Sequence, residues 1–176
     1  MPGFGDTHKS DTDILSEVAD WLSIAYANRI LLTGIIYLHR IIDPTLEGSA
    51  MRNLRVFKQL CGPEAFTSVA LVITFWSHVD EIVGSEREKS LMGSGDFWGL
   101  SMGSTSYRQD QGEASAREIV DRLIMRRRPV VLDIHREIVD CGRILDETAA
   151  GLELKILLTE QKKEAKKQFR EIQGEL

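Results

Sequence analysis

Apolar residues recur along this chain with two different spacings, and the alternation between the spacings predicts the secondary structure. From residue 11 to 25 they recur in steps of three and four, which predicts an amphipathic helix capped by Asp11 or Thr12. The run ILLTGIIYL at 30–38 is short, continuous and rich in β-branched residues, which predicts a strand buried on both faces. The same patterns predict helices at 49–60, 80–92 and 113–125, and further strands at 68–75 and 102–107.

Strands that alternate with helices predict a parallel sheet with helices on both of its faces. The predicted fold class is therefore α/β, with about three parallel strands and a long C-terminal helix. From Pro129 onward the pattern is helical nearly to the end. Gly142 and Gly151 each weaken a helix by about 1 kcal/mol relative to alanine, so the helix can break at either position.

A predicted apolar stripe follows this C-terminal helix at steps of three and four residues. Its members are Ile134, Ile138, Cys141, Leu145, Ala149, Leu152 and Ile156. The stripe fits either core packing or pairing with a partner helix, including a coiled coil. We accordingly divide the chain into an α/β domain at 1–127 and a helical extension at 128–176.

Composition narrows the class of protein. Of the 176 residues, 43% are hydrophobic and 28% charged, as in soluble globular proteins, and the net charge of −5 argues against a basic nucleic-acid binder. No apolar run reaches the length of about 20 residues that spans a bilayer, and no secretory signal is recognisable at residue 1. Cys61 and Cys141 are expected to be reduced, buried thiols of a cytoplasmic protein, with a disulfide as the alternative.

Two loops are candidates for chemistry because ligands of open parallel sheets bind at the carboxyl ends of the strands. They are PGFGDT near the N-terminus and TFWSHVD after the second strand. Their order and spacing, with the downstream strings FWG, EASAREIVDRL and DETAAG, resemble the P-loop GTPase family. Within it they resemble fungal G-domain proteins distantly similar to septin-like and immunity-associated GTPases. The resemblance covers essentially the whole chain and implies the C-terminal part of a G-domain sheet, with GTP or GDP and Mg²⁺ as cofactors.

The resemblance transfers only a few site residues. PGFGDT matches the end of the switch II motif D-T-P-G-F, which places Gly3 where the family's backbone N–H points at the γ-phosphate. No G-x-x-x-x-G-K-[ST] phosphate loop occurs in the sequence. The family's switch I threonine and Mg²⁺-holding aspartate would precede Met1. No metal ligand is therefore predicted, and the four histidines have no metal-binding spacing.

The guanine-reading motif also departs from the family pattern. Alignment of residues 74–77 with T-K-x-D retains Thr74 but places Phe75 at the lysine and Ser77 at the aspartate. A serine hydroxyl cannot accept two N–H bonds from guanine as a carboxylate does. Asp80, three residues on, could reach the base only after a rearrangement of the loop. Trp76 is expected to be a core or loop anchor.

Two functions remain open from the sequence. The first is a GTP-binding family protein with little or no GTPase activity, since phosphoryl transfer depends on the phosphate loop and Mg²⁺. The alternative is a non-catalytic scaffold that binds a protein partner, or a second copy, through residues 129–173. The family sheet would also leave the 31–38 strand as an exposed apolar edge, so we expect low stability, dimerisation or shielding by the C-terminal helix.

Overall fold

The structure, a computed structural model, describes residues 9–43, 49–93, 103–126 and 129–174. It contains three strands: β1 (Ile35–Arg40), β2 (Val69–Thr74) and β3 (Thr105–Arg108). The helices before and between them are α1 (Asp11–Ala27), α2 (Ser49–Cys61), α3 (Glu81–Gly93) and α4 (Glu113–Met125). After them come α5 (Asp133–His135), which continues as a π-helical turn at Arg136–Asp140, and α6 (Ala149–Gly174).

The sheet is parallel with the order β1-β2-β3. This confirms the predicted α/β class, its three-stranded parallel sheet and its long C-terminal helix. The predicted cap of α1, Asp11 or Thr12, was wrong by one or two residues, because the Ser10 Oγ accepts from the Asp13 N–H at 3.2 Å. A serine hydroxyl at this position satisfies one of the backbone donors that the first helical turn leaves free.

The first strand lies further along the chain than predicted. Residues 30–34 precede it, and Leu32 forms an isolated antiparallel bridge with Val130. At Gly34 a β-carbon would lie 3.0 Å from the Leu123 Cδ2, so the chain passes close to α4 before β1 begins. The strand then continues through His39 to Arg40, where the composition is no longer apolar.

Strand β1 is an edge strand with one apolar face open to solvent. Ile36 is 41% and Leu38 66% exposed, so the prediction that this strand is buried on both faces was wrong. The predicted apolar edge is confirmed, but α6 does not shield it. Its buried residues Ala150 and Leu154 belong instead to the core on the opposite face of the sheet.

The two faces of the sheet carry cores of unequal size. The larger core joins Val69, Leu71 and Ile73 of β2 to side chains from α1, α2, α5 and α6. The smaller core joins Ala70 and Val72 to Ile119 and Leu123 of α4. All six residues of β2 are thereby buried or half-buried, as the continuous apolar sequence of this central strand predicts.

The C-terminal segment is not one continuous helix. It breaks at Gly142, whose φ of +68° favours glycine, and resumes at Ala149. The Glu137 carboxylate accepts from the Ala149 N–H, with both oxygens at 3.1 Å, and so caps α6. Gly151, the other predicted break, lies inside α6.

The break changes which residues of α6 face the core. Leu152 and Ile156 of the predicted stripe are each 50% exposed, whereas Leu154 and Leu157 are buried. The stripe was therefore wrong in its second half, because the loop at 142–148 resets the helical phase. The buried residues of α6 pack in the same core as the sheet, so this core contains residues from both sides of the boundary predicted at 127/128. The division of the chain at that boundary and the coiled coil both remain predictions.

The distal part of α6 extends beyond the core. Arg55 of α2 contacts Glu153 at 2.6 Å and Glu160 at 3.6 Å, and from residue 162 to 173 every side chain is exposed. Among the described residues, no helix is long and apolar enough to cross a membrane. Both cysteines are free thiols; Cys61 is buried as predicted, but Cys141 is exposed.

Candidate functional site

The carboxyl ends of the three strands meet at one edge of the sheet, because all three run in the same direction. Arg40 is in register with Thr74, and Arg108 is in register with Ile73. Ligands of open parallel sheets bind at this edge. The loop at 75–80, which leaves the central strand, is therefore the candidate site that the sequence indicated.

Thr74 contributes to the sheet rather than to an open surface. It is partly buried, and its Oγ1 donates to the His39 carbonyl oxygen at 3.2 Å. This bond joins the ends of β1 and β2. The hydroxyl proton of Thr74 is thus already used within the fold.

Ser77 and Asp80 are both exposed, but each also has a local partner. Ser77 lies in a 3₁₀ turn at Trp76–His78, and its Oγ is 3.1 Å from the His78 Nδ1. The Asp80 Oδ1 accepts from the Ile82 N–H at 2.9 Å, and the Asp80 carbonyl accepts from the Gly84 N–H at 2.8 Å. Asp80 therefore caps α3, a role typical of aspartate before a helix. Gly3, the remaining predicted site residue, lies outside the described residues.

Phe75 occupies the position aligned with the family's lysine. Its backbone is left-handed, with φ 65° and ψ 28°, which is uncommon for a bulky residue and costs about 1–3 kcal/mol. The ring is 43% exposed, lies 5.3 Å from the His78 ring and faces the Arg40 guanidinium at 5.9 Å. An aromatic ring flanked by a cation and an imidazole can stack on a planar group, but it cannot replace an ammonium.

Trp76 fastens the loop to the domain, as predicted for an anchor. Its indole Nε1 donates to the Ile73 carbonyl at 2.9 Å, and the Arg108 guanidinium lies 4.2 Å from the ring centre. The ring also packs on α3 at Gly84, where a β-carbon would lie 2.9 Å from the indole Cζ3. A glycine is therefore required at this position for the indole to lie flat.

Three arginines at this edge are paired with groups of the protein itself. The Arg108 Nε lies 3.1 and 3.0 Å from the two Glu88 oxygens, and this bond is the main reason that the pKa of Arg108 is raised. Arg87 donates to the Ile41 carbonyl at 2.9 Å. Arg40 binds Asp43 through two bonds of 2.7 and 3.0 Å. Carboxylates compensate the charges of Arg40 and Arg108, which leaves little of either charge for a phosphate. Arg87 keeps its charge but is held in place by backbone carbonyls.

Sequence reasoning missed these arginines for different reasons. Arg108 ends the third strand, and the rule for parallel sheets could have indicated it. Arg87 gave no signal, because its partners are backbone carbonyls some 45 residues away in the chain. Within the described ranges, no cluster of three or more His, Cys, Asp or Glu side chains is arranged to hold a metal ion.

Comparison with known proteins leaves the site to be interpreted on its own chemistry. No protein-family model, curated protein or solved structure matches this chain.

Proposed function

We propose that this chain is a G-domain-like α/β scaffold that acts through protein contacts of its C-terminal helix and does not turn over GTP. One observation carries the proposal: the polar groups at the carboxyl edge of the sheet are engaged in the fold, whereas the distal part of α6 is exposed on every side. The engaged groups are Thr74, Asp80, Arg87 and Arg108.

Catalysis of phosphoryl transfer needs cations and backbone donors that point at the phosphates. At this edge Arg40 and Arg108 are each held by a carboxylate. Both pairs are partly exposed, so each contributes only about 0–1 kcal/mol, but a phosphate would still have to displace the carboxylate. The parallel strand order is the one that the G-domain resemblance implies for the three C-terminal strands. This strand order supports a fold shared with G domains, but it supplies no groups for phosphoryl transfer.

A fluorescent guanine nucleotide, titrated with Mg²⁺ against the full chain, tests the proposal. We expect no saturable signal at micromolar protein. Saturable micromolar binding that disappears in Asp80→Asn would overturn the proposal, because it would make Asp80 a base-reading group.

Weak guanine-nucleotide binding is the second candidate, and the exposed Asp80 carboxylate beside the end of the central strand favours it. The double substitution Phe75→Lys/Ser77→Asp restores the T-K-x-D pattern and sharpens the test. If the loop is a relic guanine site, the double variant binds guanine nucleotides more tightly than adenine nucleotides. The single substitution Phe75→Lys is the control, since it adds a cation without the carboxylate.

The scaffold role is tested by the stability of the fold. Ending the chain after Gln161 retains both contacts of Arg55 and removes only the exposed distal part of α6. We expect the free energy of unfolding in urea to change by less than about 1 kcal/mol, as for surface changes. A loss of folding would mean that the distal part serves stability and is not reserved for partners.

A further inference from the structure

The exposed distal part of α6 differs in charge from the rest of the chain. Residues 161–174 include five basic and two acidic side chains, although the whole chain has a net charge of −5. Lys162, Lys166, Phe169 and Ile172 recur at steps of three and four and so share one helical face. Phe169 is 60% and Ile172 63% exposed. We call this face, defined by those four residues, the basic stripe.

The solvent-facing side of α1 has the opposite charge. The helix contains four acidic residues and no basic one. Asp13, Glu17, Trp21 and Ile24 recur at the same helical steps, and all four are exposed, Trp21 by 62% and Ile24 by 65%. We call this face the acidic stripe. Two exposed large apolar side chains beside a row of carboxylates are a surface that fits a basic amphipathic helix.

The two stripes carry their groups in the same order. Each begins with two charged residues, continues with an aromatic residue and ends with isoleucine. Placed side by side in parallel, the helices set Lys162 against Asp13 and Lys166 against Glu17. The same alignment brings Phe169 and Ile172 within one residue of Trp21 and Ile24, because the charged pairs are 149 positions apart and the apolar pairs 148. Within the described residues, Lys162 and Lys166 form no ion pair, so both are available. Glu17 already pairs with Lys9 in an exposed contact and would exchange that partner for Lys166.

One chain cannot form this parallel pair with itself. The last turn of α1 meets the segment at 133–140, where the Tyr26 ring stacks on His135 at 4.7 Å and its hydroxyl donates to Asp140 at 3.2 Å. Helix α6 starts from the same segment, at the Glu137 cap. Helix α1 therefore ends at the segment from which α6 starts, so the two stripes of one copy do not lie side by side in the same direction.

We propose that the occupant is a second copy of this chain, in a reciprocal dimer in which the basic stripe of each copy lies along the acidic stripe of the other. This inference rests on the scaffold role proposed above and specifies its partner. A two-fold dimer of this kind uses both surfaces twice and leaves neither exposed. Because its ion pairs are at the surface, the dimer weakens as salt is raised.

Sedimentation velocity of the full-length chain, at low and at high salt, tests the proposal. We expect a monomer–dimer equilibrium whose dissociation constant rises with salt. Lys162→Glu/Lys166→Glu should raise that constant by about tenfold or more, since exposed pairs in both contacts become repulsive. The matched control is Lys163→Glu/Lys167→Glu, which changes the charge of the same helix equally but lies off the stripe and should have the smaller effect.

Mixing two charge-reversed proteins makes the test specific. Lys162→Glu/Lys166→Glu and Asp13→Lys/Glu17→Lys should each be monomeric alone and should form a heterodimer when mixed. Phe169→Ala should weaken the dimer without changing the charge, and circular dichroism shows that each variant is folded.

Three results would overturn the inference: a monomer at all concentrations, failure of the mixed pair to associate, or a dimer sensitive to Leu38→Lys but not to the stripes. A monomer with no nucleotide binding would reject the dimer alone, whereas saturable micromolar nucleotide binding that disappears in Asp80→Asn would reject the scaffold proposal whatever the dimer does.

Discussion

The packing of α6 gives the sharpest test of the fold, because two neighbouring residues of that helix are predicted to behave differently. Leu154 is 5% exposed in the main core, and Ile156 is 50% exposed. Leu154→Ala removes a buried side chain and leaves a cavity, which costs about 2–5 kcal/mol. Ile156→Ala removes a side chain that water already reaches, and alanine is the better helix former. Its cost should be less than about 1 kcal/mol.

Urea denaturation followed by circular dichroism measures both variants against the parent chain. We expect Leu154→Ala to lower the midpoint strongly with an unchanged slope, which reports a loss of stability and not a change in the unfolded state. The sequence pattern alone placed Ile156, and not Leu154, on the apolar stripe, and the core-packing alternative for that stripe predicts the reverse ranking. An equal or larger loss for Ile156→Ala would show that the phase of α6 described here is wrong.

Three further outcomes are expected. Gly84→Ala should displace the Trp76 ring, because the new β-carbon would lie 2.9 Å from that ring. The overpacking costs about 1–3 kcal/mol. Near-ultraviolet circular dichroism should detect the displacement. Burial lowers the pKa of His135 below its usual 6.5 while Asp140 opposes the shift, so stability in urea should fall as the pH drops below about 6.5. The Leu132 N–H donates to the His135 Nδ1 at 3.1 Å. His135→Gln keeps an acceptor for this N–H and should reduce the pH dependence. A thiol reagent should label Cys141 at once but Cys61 only after unfolding, since burial raises the pKa of the latter.

The kinds of element and their order could be predicted because local patterns determine them. The continuous apolar sequence of β2 predicts a buried strand, and the periodic sequence of α4 predicts an amphipathic helix. The structure contains both elements. β1 was displaced because ILLTGIIYL was read as one apolar run, although Thr33 and Gly34 interrupt it directly before Ile35, where β1 begins. Leu32 bridges to Val130, 98 positions away in the chain, and so lies outside the parallel pairing of β1. Apolar composition likewise could not reveal that Ile36 and Leu38, on one face of β1, are exposed.

The candidate site was only partly predictable for a similar reason. The loop at 75–80 followed from the rule for parallel sheets, and the role of Trp76 as an anchor was anticipated. Asp80 caps α3 because it lies directly before the helix. The predicted helix began one residue too early, at residue 80, and an error of that size hides a capping residue. The pairing of Arg108 with Glu88 depends on how α3 lies against β3, which no local pattern contains.

The open face of β1 also affects how this protein leaves the native state. When the chain is heated, partly unfolded molecules present an unpaired strand edge with Ile36 and Leu38 beside it, and such edges associate with one another. Association would then remove unfolded chains faster than they refold, and the apparent melting temperature would vary with the heating rate. The lifetime of the folded protein at a given temperature would then be set by the rate of its irreversible loss. Its equilibrium free energy of unfolding would be measurable in urea at low protein concentration rather than by heating.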